Sequence, residues 1–164
     1  MRMSEGVEWA LHSCLMLAWL DDAGPLPTAT LAAAFDLPAA YLNKQLQALA
    51  RDGIVTSTPG ARGGFRLARR PQDITLLDVV TAIEGPDDAF RCQEIRQNGA
   101  MASVPRAEFR QECVIAAAMR RADVAWRQAL RAQTLADVQT SIDADAPVAG
   151  KRMRRWYESR TGRR

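Results

Sequence analysis

The stretch from Thr28 to Ala68 constrains the fold more than any other part of the chain. Thr28 is placed to cap a short helix over Ala29–Phe35, and Asp36-Leu-Pro38 turns the chain out of it. Pro38 suits the first turn of a second helix, Ala39–Arg51, whose Tyr41, Leu42, Leu46 and Leu49 make an apolar face and which Gly53 stops. Two alternating runs follow, Ile54–Thr58 and Gly64–Ala68, joined by the turn-forming Pro59-Gly-Ala-Arg-Gly-Gly64. They predict a β-hairpin.

The flanks are helical. Val7, Leu11, Cys14 and Ala18 form one apolar stripe on a helix over Glu5–Leu20, closed by the breaker Asp21–Pro27. Ile74–Glu84 is a further helix, stopped by Gly85-Pro86. A loop-rich stretch carries Cys92 and a short segment, Gln93–Gln97. A long helix runs from near Glu108 to Ala132, and Thr134 caps a last short helix, Leu135–Ile142. After Pro147 the chain turns basic and loses periodicity. The expected fold is mainly α with a small β-hairpin wing: a winged helix-turn-helix plus a long helix. The expected division is a winged helix-turn-helix over 1–85, a cysteine-bearing loop over 86–110, the long helix and short C-terminal helix over 111–143, and a basic, flexible tail over 144–164.

Charge points the same way. The net charge of +3 hides an asymmetry. Pro38–Arg70 holds six basic residues and one acidic, Lys151–Arg164 seven and one, and the remainder nine and seventeen. Positive charge gathered in two segments on an acidic body favours a localised polyanion contact. The helix opening at Pro38 would enter the major groove of duplex DNA and present Tyr41, Asn43, Lys44, Gln47 and Arg51. Thr28 would bring a helix N-terminus to a phosphate. Arg62 and Gly63, at a hairpin tip thinned by Gly60, Gly63 and Gly64, would reach the minor groove. The basic tail either stays solvated or adds nonspecific phosphate contacts.

Other classes are disfavoured. No apolar run of about 18 residues occurs, so no membrane span is expected, and cytoplasmic residence is the default. With His12 the only histidine and no nucleophile motif around it, an enzyme is not expected. Gly60-Ala-Arg-Gly-Gly64 lacks the Lys-Ser/Thr of a phosphate loop. Three cysteines, Cys14, Cys92 and Cys113, are too few for a disulfide framework and suggest buried thiols or metal ligands.

Ala40–Val55 looks like a recognition helix, Gly60–Ala68 like a wing and Ile74–Gly85 like the helix that follows, all of the iron–sulfur and redox-responsive winged-helix regulators. The chain resembles that family from its N-terminus to about Asp143. The resemblance implies a DNA-binding domain over 1–85, a cluster-binding loop over 86–110 and a homodimer whose dimerisation helix lies in 111–143, with the Cys113–Ala132 helix packing across the two-fold axis and a palindromic operator following from the symmetry. Family members commonly carry three cysteine cluster ligands before the long helix. This chain has Cys92 and Cys113, with Phe109 at the middle position.

A 2Fe–2S cluster needs four ligands. Glu8 and His12 are four residues apart and project from one helix face, about 40° apart. Some members of the family take a cluster ligand from this N-terminal region of the other chain. The resemblance therefore implies a site of Glu8, His12, Cys92 and Cys113 assembled across the dimer. Zinc would also accept two thiolates, an imidazole and a carboxylate, and a cluster-free, thiol- or ligand-responsive repressor is the further alternative. Cys14 sits in the apolar stripe and is excluded. Trp9, beside Glu8, is either a packing residue or one whose packing couples cluster charge to the DNA-binding surface.

Overall fold

The computed structural model describes residues 3–60 and 63–162. The order of elements is α1 (Glu5–Trp19), α2 (Thr28–Ala34), α3 (Ala39–Arg51), β1 (Val55–Thr58), β2 (Gly64–Leu67), α4 (Leu76–Glu84), α5 (Val114–Arg131), α6 (Leu135–Asp145) and α7 (Ala149–Thr161). The fold is mostly helical with one antiparallel hairpin, as the sequence predicts. Two compact units are present, one of Arg2–Pro86 with Leu130–Arg164 and one of Asp87–Ala129.

The larger unit is the winged helix-turn-helix. Its core gathers Cys14 and Met16 of α1, Leu20 just after it, Leu31 of α2, Leu42, Leu46 and Leu49 of α3, and Val79 of α4. The hairpin pairs Val55 with Leu67 and Thr58 with Gly64. Leu26 joins its edge through two 2.8 Å backbone hydrogen bonds with Phe65, tying the α1–α2 connection to the wing. Gly64 permits this approach. It has φ +151°, and a Cβ there would meet the Leu26 carbonyl at 2.3 Å.

Two helix starts face each other. Thr75 and Thr134 each accept a hydrogen bond from the backbone N–H three residues on, at Asp78 and Asp137, whose carboxylates return to the threonine N–H. The two threonines form an isolated antiparallel bridge, with Leu76 N–H donating to Gln133 O and Leu135 N–H to Ile74 O, both at 2.9 Å. The cap at Thr134 was expected from sequence. That at Thr75 was not, and it moves the start of α4 from Ile74 to Leu76.

Three further expectations are corrected. Thr28 does not cap α2: Pro27 holds the N-cap position, and Thr28 is the first helical residue. The long helix starts at Val114, because Pro105 leads into a single 3₁₀ turn, Arg106–Phe109, and Cys113 sits at the helix entrance. The flexible tail is in fact α7. Its Met153, Trp156 and Tyr157 pack on the core, with Tyr157 only 5% exposed. This spacing of three and four residues is a helical stripe hidden among seven basic residues.

Candidate nucleic-acid interface and thiol centre

Helix α3 buries Leu42, Leu46, Ala48 and Leu49 and turns Tyr41, Asn43, Lys44, Gln47 and Arg51 to solvent. Tyr41 is 65% exposed, an unusual state for an aromatic residue on a helix with a well-filled opposite face. The half-buried Thr28 hydroxyl lies 3.3 Å from Asn43 Oδ1 and donates to it, so the start of α2 braces a side chain of the outward face.

At the wing tip, Gly63 is buried. A Cβ there would fall 2.1 Å from the Thr58 carbonyl oxygen, and its N–H donates to Gly60 O at 2.9 Å. Glycine is therefore required at this turn for steric reasons. Arg62 lies outside the described residues. On β2, Arg66 is exposed.

Glu8 and His12 are both exposed on α1, one turn apart, and share an open hollow with Met3, Ser4, Val7 and Leu11. The His12 ring stands 5.3 Å from that of Phe35. Trp9 is half-buried against the core. Cys14 is fully buried, which pushes its thiol up to about 12.

Cys92 and Cys113 belong to the unit Asp87–Ala129. Cys92 is exposed, and its sulfur accepts the Glu94 N–H at 3.4 Å. Cys113 is half-buried at the entrance to α5. Its thiol is held below the ordinary range, first by the Ala116 backbone N–H, then by that of Ile115 and by the positive charge of Arg96. Burial and the Glu94 carboxylate oppose the shift. The sulfur thus does the work of a helix cap, where exposed amides favour a thiolate.

Arg96 organises this centre. It pairs with Glu94 (Nε–Oε1 2.5 Å, Nη2–Oε2 2.8 Å), donates to Gln111 O at 3.1 Å, and stacks on Phe109 with its guanidinium 5.4 Å from the ring centroid. Both Cys92 and Cys113 act electrostatically on Arg96, so the two thiols share one cation. Sequence reading missed Arg96. Nothing in the spacing of residues 92, 96 and 113 signals the contact, which arises from turns at Ile95–Gln97 and Arg106–Phe109. Within the single chain, no group of three or more His, Cys, Asp or Glu among the described residues is arranged to hold a metal ion.

Comparison with known proteins agrees with this architecture. The family model described as Rrf2, iron-dependent transcriptional regulator, matches residues 3–141. Among curated proteins the chain is similar to the HTH-type transcriptional regulators YffB of Lactococcus lactis (36% identity, 60% of this chain, 63% of the relative) and YwgB of Bacillus subtilis (29%, 87% and 86%). It is also similar to IscR of Escherichia coli (30%, 57% of each chain). The match thus spans less than two thirds of the length of YffB and IscR. Among solved structures, CymR of B. subtilis, titled the global cysteine regulator, superposes with TM-score 0.64 at 24% identity over 86% of this chain and 98% of CymR. IscR of T. potens superposes with TM-score 0.66 at 20% identity over 89% and 91%. These relatives are named as transcriptional regulators and none as an enzyme. A winged helix-turn-helix matched over residues 3–141 places this chain in the Rrf2 family of DNA-binding transcriptional regulators.

Proposed function

We propose that this regulator acts as a homodimer on a palindromic operator and senses redox state through a 2Fe–2S cluster held by Glu8, His12, Cys92 and Cys113. The observation that carries the reading is the state of the two thiols: Cys113 is biased toward thiolate by helix amides and Arg96, and Cys92, exposed, shares that cation. Thiolates are the ligands such a cluster requires, and imidazole or carboxylate at the remaining positions makes it less negative and raises its potential. The donor set fits in kind, since Glu8 and His12 are exposed on one helix face and available to a second protomer. When bound, the group supplies a reversible one-electron change.

The chain's own residues do the rest. The Ala116 and Ile115 amides and Arg96 hold negative charge on the Cys113 sulfur, and the Glu94 N–H donates to that of Cys92. Val114, Ile115, Met119 and Val124 leave exposed apolar surface on α5, which suits a helix pairing with its copy. Tyr41, Asn43, Lys44, Gln47 and Arg51 read or grip the major groove, with Arg62 and Gly63 at the wing and Thr28 bracing Asn43. Trp9, packed beside Glu8, is the residue through which a charge change at the ligands reaches the core.

The test is an absorption spectrum of anaerobically purified protein, with iron and sulfide assayed on the same sample. Coloured protein with near-equal iron and sulfide, bleached by mild reduction and restored by air, is expected. Colourless protein without iron overturns the cluster and leaves a second reading, a zinc-bound or thiol-responsive repressor of the same fold. In that second reading the thiolate-prone Cys113 and the exposed Cys92 are the responsive thiols.

A further inference from the structure

Helix α7 follows the stretch matched by the family model, which ends at residue 141. Its rotation about its own axis is set by three contacts. Tyr157 is buried, with Met153 and Trp156 beside it on the core. Gly150 lies against the Trp19 indole, where a Cβ would stand 3.1 Å from the ring. Arg154 binds Asp22 through two hydrogen bonds and donates to Trp19 O at 2.7 Å.

With that face committed inward, Lys151, Arg152 and Arg155 fall within about 100° of the outward surface of the helix. Arg160 falls by rotation on the side of Met153 and Trp156, is exposed near the C-terminal end of the helix, and is held over the Trp156 ring at 5.4 Å. All four are exposed. Among the described residues, none reaches a carboxylate within ion-pair distance. Four cations with no carboxylate in reach, on a helix anchored by buried aromatic packing, present charge in a fixed direction. A solvated tail would not.

The anchor lies on the wing side of the DNA-binding unit. Trp19 ends α1 and Asp22 lies in the short 3₁₀ turn Asp21–Ala23 that follows; the chain passes from there through Leu26, which pairs with Phe65 of the wing, into α2 at Thr28. Ala18 and Asp21 share a hollow with Leu67, Ala68, Arg69 and Arg70 at the end of β2. Arg69 and Arg70 are engaged by Asp78 and Asp73, so α7 adds its open positive charge to that of the exposed Arg66 of β2.

We propose that the outward face of α7, with Arg160 at its exposed C-terminal end, is a second, sequence-independent phosphate-binding surface, in which Lys151, Arg152, Arg155 and Arg160 grip the backbone of duplex DNA beyond the base pairs covered by α3 and the wing. This rests on the DNA-binding role of the unit and adds to it a longer footprint. Phosphate neutralisation releases counterions, so the contribution is read in the salt dependence of binding and carries no base preference.

The experiment uses the full chain and fluorescently labelled duplexes of about two and about four helical turns that share one central sequence, enriched by the protein from a random pool. Affinity is measured by anisotropy over a range of salt concentrations. The variants are K151Q/R152Q/R155Q/R160Q, the pair K151Q/R155Q, and R106Q/R110Q as a charge-matched control for the pair outside α7. The substituted side chains face solvent, so an unchanged thermal transition verifies the fold. With about two phosphate contacts per α7, the fourfold variant is expected to reduce the slope of log K against log salt on the long duplex by about 3.6. The pair should lose a smaller part, and the short duplex and the R106Q/R110Q control should show little change. A fourfold variant with the wild-type slope on the long duplex overturns the proposal. So does a loss that is equal on both duplexes and matched by the control, because that reports net charge alone. Wild-type protein that binds neither duplex overturns the DNA-binding role itself, and this inference with it.

Discussion

Arg154 and Asp22 form a forked ion pair that fastens the last helix to the end of the first, with Nη1 at 3.0 Å from Oδ2 and Nη2 at 2.7 Å from Oδ1. The Asp22 carboxyl is held below its ordinary range, first by the Arg154 hydrogen bond; desolvation opposes this, and the Arg154 charge lowers it further. A carboxyl with a lowered folded-state pKa contributes stability above its unfolded pKa of about 3.9, and loses it as pH falls through the folded value. The difference in melting temperature between wild type and D22N is therefore expected to be full near neutrality and to vanish in strong acid. Thermal unfolding across pH checks this, and a pH-independent difference would be the contrary result.

Tyr157 is the buried anchor of the same helix. Truncation to Ala is expected to cost about 3 kcal/mol, as for other large buried side chains. That lowers the melting temperature by roughly 6–12 °C for a chain of this size. Y157F, which keeps the ring, should lose far less. Equal losses would mean that the hydroxyl, and not the packed ring, holds α7.

The opposed caps at Thr75 and Thr134 are expected to be coupled. T75A and T134A should each destabilise by about 1 kcal/mol, since each leaves helix N–H groups without a partner. Because the two residues pair across an isolated bridge, the double variant should depart from the sum by about 0.5 kcal/mol or more. Chemical denaturation of the four proteins reads this directly, and strict additivity would count against coupling through the bridge.

Cys113 and Cys14 should separate by reactivity in metal-free protein. Cys113 is expected to alkylate with a pH midpoint below that of an ordinary thiol, and R96Q should move that midpoint upward by removing the nearby positive charge. Cys14, fully buried and pushed up to about 12, should react only on unfolding. Mass mapping of iodoacetamide adducts against pH tests all three statements, and an unchanged Cys113 midpoint in R96Q would remove Arg96 as a cause.

On α3, Lys44 and Asn43 should fail differently. K44Q is expected to weaken binding to all duplexes and reduce the salt slope by about 1.8 for a dimer that loses one phosphate contact per protomer. N43A should cost about 1–3 kcal/mol on the preferred sequence and little on random DNA. T28V, which removes the 3.3 Å brace, should share the N43A pattern in weaker form. Quantitative titrations on matched and scrambled duplexes separate these outcomes.

Local chemistry made the larger unit legible. Pro38 and Gly53 bracket α3, glycines mark the wing turn, and a 3.6-residue apolar repeat marks α1, because each signal acts within a few residues of chain. The cap at Thr75 escaped notice even though Asp78 stands three residues on, because Ile74 looks like a continuation of the apolar run. Helix α7 escaped because charge outnumbers its three apolar anchors, and their value depends on Trp19 lying opposite, more than a hundred residues away in sequence. The late start of α5 follows from a thiol taking the place of a cap, which no propensity records.

The sequence by itself determined that this chain is a helix-rich regulator with a recognition helix and a wing, and it named Glu8, His12, Cys92 and Cys113 as the donors to consider. Only the tertiary structure decided that Arg96 feels both thiols, that Cys113 is poised toward thiolate by the amides of α5, and that the basic C-terminus is an anchored helix. The physical reason is range. Turn and helix preferences are properties of neighbouring residues, whereas a shared cation, a lowered pKa and a docked face depend on groups that only folding brings together.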